Sequence, residues 1–154
     1  MAPSRDGIAV FLPLVVAIGI IVSTVFIHAF ALIAIVHYVR RERQLGRVGT
    51  WFWTDVIIVA GTVLVALAAH LVEIAAWGLA FVLCREFPDY AAAFYHSAVN
   101  YTTLGYGDVI MSSSWRLLGP LEAADGSLMF GVSTGMIFAL ILRLIQARYP
   151  ESGS

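Results

Sequence analysis

From Ile8 to Val39 the chain carries no Asp, Glu, Lys or Arg. About 20 apolar residues suffice for a helix to cross the hydrocarbon core of a bilayer, so this stretch spans it with residues to spare. A cleaved leader is too short to account for such a run, and no A-x-A site precedes Arg40. Pro13 is expected in the first helical turn, where a missing N–H costs little. Two more apolar stretches follow, from about Val56 to Cys84 and from Trp115 to Tyr149. The composition agrees: apolar residues make up 60% and charged ones 12%, against roughly half and a quarter in soluble domains. Disorder, nucleic-acid binding and an ordinary cytosolic enzyme are excluded, and the chain is expected to be an all-α integral membrane protein.

Charge gives an orientation. All nine cations are arginine, and RRERQLGRVG at Arg40 to Gly49 holds four of them. The positive-inside bias puts that loop, 40–50, and the end carrying Arg143 and Arg148 in the cytoplasm, with the N-terminus outside. Trp51 to Trp53 supply an aromatic interfacial anchor. Localisation in a plasma membrane, the bacterial inner membrane above all, follows as an expectation. The divisions are a first span 8–39, an outer helix 52–84, a short helix 88–101, a loop 102–108, an inner helix 115–148 and a tail 149–154.

The short helix cannot cross, since about 14 residues reach only ~20 Å. It is expected to begin with Pro88 and to carry Asp89 in its first turn. Tyr101-Thr102-Thr103-Leu104-Gly105-Tyr106-Gly107-Asp108 comes next. Two alternate glycines interrupt helix formation and permit positive φ. Non-helical backbone at membrane depth is tolerated only when buried in protein or lining a water-filled path. Carbonyls turned toward one axis, with a threonine hydroxyl, can replace the hydration shell of a cation.

TTLGYGD resembles the signature filter of tetrameric potassium channels. Phe94 to Asn100 resembles that family's pore helix, while Trp115-Arg116 and Phe130 to Thr134 resemble the start and middle of its inner helix. The resemblance covers roughly Val56 to Arg148, leaving the first span as an addition. It implies that K+ is bound by Thr103, through hydroxyl and carbonyl, and by the carbonyls of Leu104, Gly105 and Tyr106. Gly107 would let the backbone turn, Asp108 would stand behind the outer mouth, and Tyr106 would brace the filter against the pore helix. Tyr95 would hydrogen-bond the filter aspartate. Val99 stands where some bacterial members have a carboxylate, so inactivation by a carboxylate–aspartate pair is not implied here. One chain holds one filter segment and the ion column needs four, so a homotetramer, or a mixed tetramer with a related subunit, is expected in the lipid bilayer.

In the inner helix the resemblance makes Gly126 a hinge, though close packing explains a small residue equally well. Ser127, Phe130, Thr134 and Phe138 would line the cavity. His70, Glu73, Glu122 and Asp125 are costly in a bilayer, at about 2.5–3.5 kcal/mol for a charge at its centre. They read as one polar cluster behind the filter, in which Glu73 meets Glu122 and a carboxyl can bond His96 or Asn100. His28 and His37 read as interfacial or packing residues. A metal site, with a single histidine in that cluster, has little pattern behind it. No catalytic constellation is visible, so no enzyme, no organic cofactor and no nucleic-acid partner are expected. The function expected is potassium conduction. The alternatives are a weakly selective cation channel and a non-conducting accessory or sensor protein that keeps the motif.

Overall fold

The computed structural model describes residues 5–149, with side chains from Val10 onward. The rest of the expected tail, 150–154, lies outside the described residues. These fold into four helices and no strand: α1 (Arg5–Gln44), α2 (Phe52–Leu83), α3 (Tyr90–Tyr101) and α4 (Leu118–Arg148). Three of them are long and apolar enough to cross a membrane: α1 from Val10, α2 and α4.

Each long helix buries one stripe and leaves the rest exposed. In α1 the stripe is Ala17, Thr24, His28 and Ile35, at spacings of seven, four and seven that stay on one face. Ala and Thr let neighbouring backbones come close. Phe11, Phe26 and Phe30 project outward from the same helix. The stripe of α1 packs on α2 and α4. In α2 the buried positions run singly at Ile58, Thr62 and Ala66, then double to Ala69-His70, Glu73-Ile74 and Trp77-Gly78. The doubling marks where α3 inserts between α2 and α4. Gly78 sits at that contact: a Cβ there would lie 3.1 Å from the Phe94 Cα. The main core gathers Trp77, Phe81, Tyr101, Leu118 and Met129, and a smaller one joins Ile58, Leu140 and Leu144.

The helix ends differ from the sequence reading. α1 continues to Gln44, so half of the arginine stretch is helical and only the residues up to Trp51 form a connection. Pro13 lies inside α1 rather than in its first turn. α2 ends at Leu83, with Cys84 as its C-cap. α4 starts at Leu118, which puts Pro120 in its first turn, where no N–H is needed. α3 starts at Tyr90 with Asp89 as N-cap, whose carboxylate accepts from Ala92 N at 2.9 Å. Pro88 therefore precedes the cap, because the carboxylate satisfies an otherwise unpaired amide. Asp89→Ala is expected to cost about 1 kcal/mol, read as faster hydrogen exchange at Ala92; an unchanged rate would mean that the cap carries no stability.

At the arginine-bearing end, Arg148 pairs with Asp55 at 2.9 Å and lies over the Phe52 ring. Asp55 also accepts from Gly49 N at 3.0 Å. The connection, α2 and α4 are thus tied together at one level.

Candidate functional site

The segment after α3 is held by its start. The amides of Thr103, Leu104 and Gly105 donate back to carbonyls of α3: Thr103 to Asn100 at 2.8 Å, Leu104 and Gly105 to Val99 at 2.9 and 3.2 Å. Thr103, Gly105 and Gly107 have φ of 61°, 60° and 73°, while Leu104 and Tyr106 between them do not have positive φ. Backbone handedness therefore alternates along the segment. The glycines were expected to do this; Thr103 was not. A β-branched residue at positive φ is strained and persists only where its surroundings hold it. Here the bond to Asn100 does so. Among the described residues, no donor from the chain reaches the carbonyls of Thr103 to Gly107. Those oxygens remain bare.

Beyond the segment, Tyr95 donates to Asp108 at 2.7 Å. That bond raises the Tyr95 phenol above its ordinary pKa, which keeps it a donor. Asn100 donates to His96 Nε2 at 2.8 Å, and His96 Nδ1 donates to the Val109 carbonyl at 3.0 Å. Glu86 accepts from both the amide and the hydroxyl of Ser112, each at 2.7 Å. The chain leaving the segment is thereby pinned to α3 and to the end of α2. Leu104 and Tyr106 are 54% and 67% exposed. Among the described residues, none hydrogen-bonds the Tyr106 hydroxyl.

In α4, Ser127, Thr134 and Phe138 are exposed together. Phe130 departs from them. Its ring lies 4.3 Å from that of His70 and 5.6 Å from that of Tyr101, so it packs inside the chain. Gly126 is buried, and a Cβ there would collide with the Tyr101 carbonyl oxygen and lie 3.0 Å from its carbon. Close approach of α3 to α4 thus demands a glycine at this position, and α4 runs unbroken through it.

The four intramembrane polar residues are buried, as Glu73 and Glu122 at 0% exposure make plain, but they do not form one cluster. Glu122 accepts from the Ser97 hydroxyl, with the Asn100 side chain beside it as expected, and meets neither Glu73 nor His96. Asp125 accepts from Trp77 Nε1 at 2.9 Å and lies 2.8 Å from Thr24 Oγ1. His70 and Glu73 stay together, and His28 and Tyr101 join them. Helix rotation decides this: each carboxylate faces the nearest donor on a neighbouring helix, and α3 separates Glu122 from Glu73. The reading of His28 as a packing residue is corrected, since it is buried with Nδ1 2.9 Å from Glu73 Oε1. Thr24 and His28, one helical turn apart in an otherwise apolar helix, were the available signal. Ser97 and Ser133 carried none.

No curated protein and no solved structure matches the chain. Residues 52–143, from the first residue of α2 into the last turns of α4, match the family model described as "Ion channel". With more than half of its length matched and three helices able to span a bilayer, this multi-pass membrane protein belongs to the ion channel family.

Proposed function

We propose that the chain is one of four identical subunits of a potassium-selective channel. The observation that carries this reading is the row of bare carbonyls from Thr103 to Gly107 on a backbone of alternating handedness. Unpaired carbonyls at membrane depth are costly. A cation stripped of water satisfies them, and four copies around an axis complete its oxygen shell. Thr103 adds its hydroxyl, and Leu104, Gly105 and Tyr106 add carbonyls. Exposure of this segment in a single chain fits an axis shared with neighbours, and Tyr106 then braces against an adjacent subunit. Ser127, Thr134 and Phe138 face the cavity below, and Asp108 stands at the outer mouth. K+ is the only bound species this mechanism needs, and conduction is passive. The arginine-bearing ends lie in the cytoplasm and the N-terminus outside, in a plasma membrane.

Purified protein in planar bilayers, with potassium and sodium on opposite sides, tests the proposal. The current is expected to reverse near the potassium equilibrium potential. Reversal near zero would make it a weakly selective cation channel. Absence of flux from liposomes of the folded protein would make it an accessory protein.

A further inference from the structure

All four helices of one chain meet at a second polar group, away from the bare carbonyls. His28 comes from α1, His70 and Glu73 from α2, Tyr101 from α3 and Ser133 from α4, and all are buried. His28 Nδ1 lies 2.9 Å from Glu73 Oε1, and His70 Nδ1 lies 3.3 Å from Glu73 Oε2. The three residues offer ligand atoms within 4.8 Å of one another. The Tyr101 hydroxyl is 3.1 Å from His70 Nδ1 and bonds Glu73 as well. We propose that His28, His70 and Glu73 bind a divalent transition-metal ion of the Zn2+ class, with the Tyr101 hydroxyl facing its fourth position.

The spacing suits such an ion. Zinc takes imidazole nitrogen and carboxylate oxygen at ~2.0–2.2 Å, which puts the ligand atoms of a tetrahedral site about 3.3–3.5 Å apart. The two histidine–carboxylate gaps, 2.9 and 3.3 Å to one Glu73 oxygen each, are this size or slightly less, and all three ligand atoms lie within 4.8 Å. Two nitrogens and few oxygens are the wrong set for Ca2+ or Mg2+, which require six or more oxygens or ordered water.

The hydrogen bonding is compatible with such a site. Both remaining ring nitrogens, Nε2 of His28 and Nε2 of His70, lie 3.1 Å from the one Ser133 Oγ. A hydroxyl has two lone pairs and one proton. If both Nδ1–H groups donated to Glu73, two Nε2 lone pairs would compete for that single proton. If both Nδ1 atoms ligate a metal, both rings are neutral with Nε2–H, and the two N–H groups fill the two lone pairs of Ser133. A ligating histidine ordinarily gives its other N–H to such an acceptor, which fixes its tautomer.

A dication beside ionised Glu73 would leave one positive charge, with a further carboxyl group nearby. Asp125 is buried, with one carboxylate oxygen lacking a hydrogen-bond partner among the described residues. Its other oxygen faces Thr24, one turn before His28, and Trp77, one turn past Glu73. Because α1 lies outside the matched 52–143 region yet supplies a ligand, the ion would couple this added helix to the channel module.

The full chain is expressed in Zn2+-supplemented medium, purified in detergent without histidine tag, and its metal content measured by mass spectrometry. About one Zn2+ per chain is expected, and protein grown with Co2+ should show the intense visible d–d bands of a four-coordinate ion. His28→Gln and His70→Gln should lose the metal. Ser133→Ala, which keeps every ligand, should weaken binding about 10–100-fold. Wild-type protein purified with only traces of Zn2+ and Co2+ overturns the proposal whether or not the variants fold. Metal retained at wild-type level in folded His28→Gln overturns it too, placing the ion at other histidines. Metal content is read without conduction, so failure of the potassium reading leaves this result intact.

Discussion

Gly105→Ala is expected to abolish potassium selectivity while leaving the folded subunit intact. Gly105 has φ of 60°, and nothing among the described residues lies within 4 Å of where a Cβ would be. The substitution therefore creates no clash within the subunit. Its cost is torsional: about 1–2 kcal/mol for an L-residue held left-handed. In the proposed tetramer that cost recurs in every subunit around one axis. The backbone relieves it by rotating the neighbouring peptides, which turns carbonyls away from the ion. Bilayer recordings should show potassium current reduced at least tenfold, or a reversal potential moved toward zero, with unchanged helical content and elution volume. Wild-type conductance and selectivity in this variant would remove the 102–108 segment from the ion path.

Gly126→Ala is expected to act on folding instead. Its Cβ would collide with the Tyr101 carbonyl oxygen, and backbone cannot step aside as a flexible side chain can. Overpacking of this kind costs about 1–3 kcal/mol. The displacement would push the C-terminal end of α3, and so the start of the 102–108 segment, away from α4. Thermal unfolding in detergent should fall by several degrees. Gly131→Ala and Gly135→Ala, with open space around both positions among the described residues, should stay within error of wild type. A stable Gly126→Ala protein whose opening is altered would instead assign this glycine to bending α4.

Some of this was legible without coordinates because the physics is local. A bilayer selects for uninterrupted apolar length, so three spans can be counted residue by residue, and a half-length helix is recognised by its shortness. Positive φ is a property of one residue, which is why Gly105 and Gly107 announced the irregular backbone. The strain at Thr103 escaped notice, because nothing about a threonine demands a left-handed torsion. It is imposed by the bond to Asn100 and the alternation on either side. Nor could the helix ends be fixed closely: α1 keeps its hydrogen bonds past Val39 whatever the polarity outside the membrane, and a carboxylate cap moved the start of α3 beyond Pro88.

The intramembrane polar residues divide along the same line. Their burial followed from their rarity in apolar helices, since an unpaired ionisable group facing lipid is too costly to keep. Their partners did not follow. His28 meets Glu73 from 45 positions away and Thr24 meets Asp125 from 101. Which polar groups meet depends on how each helix is rotated about its axis and where α3 wedges between α2 and α4. Sequence spacing states which residues share a helix face; only packing of the four helices decides which faces meet.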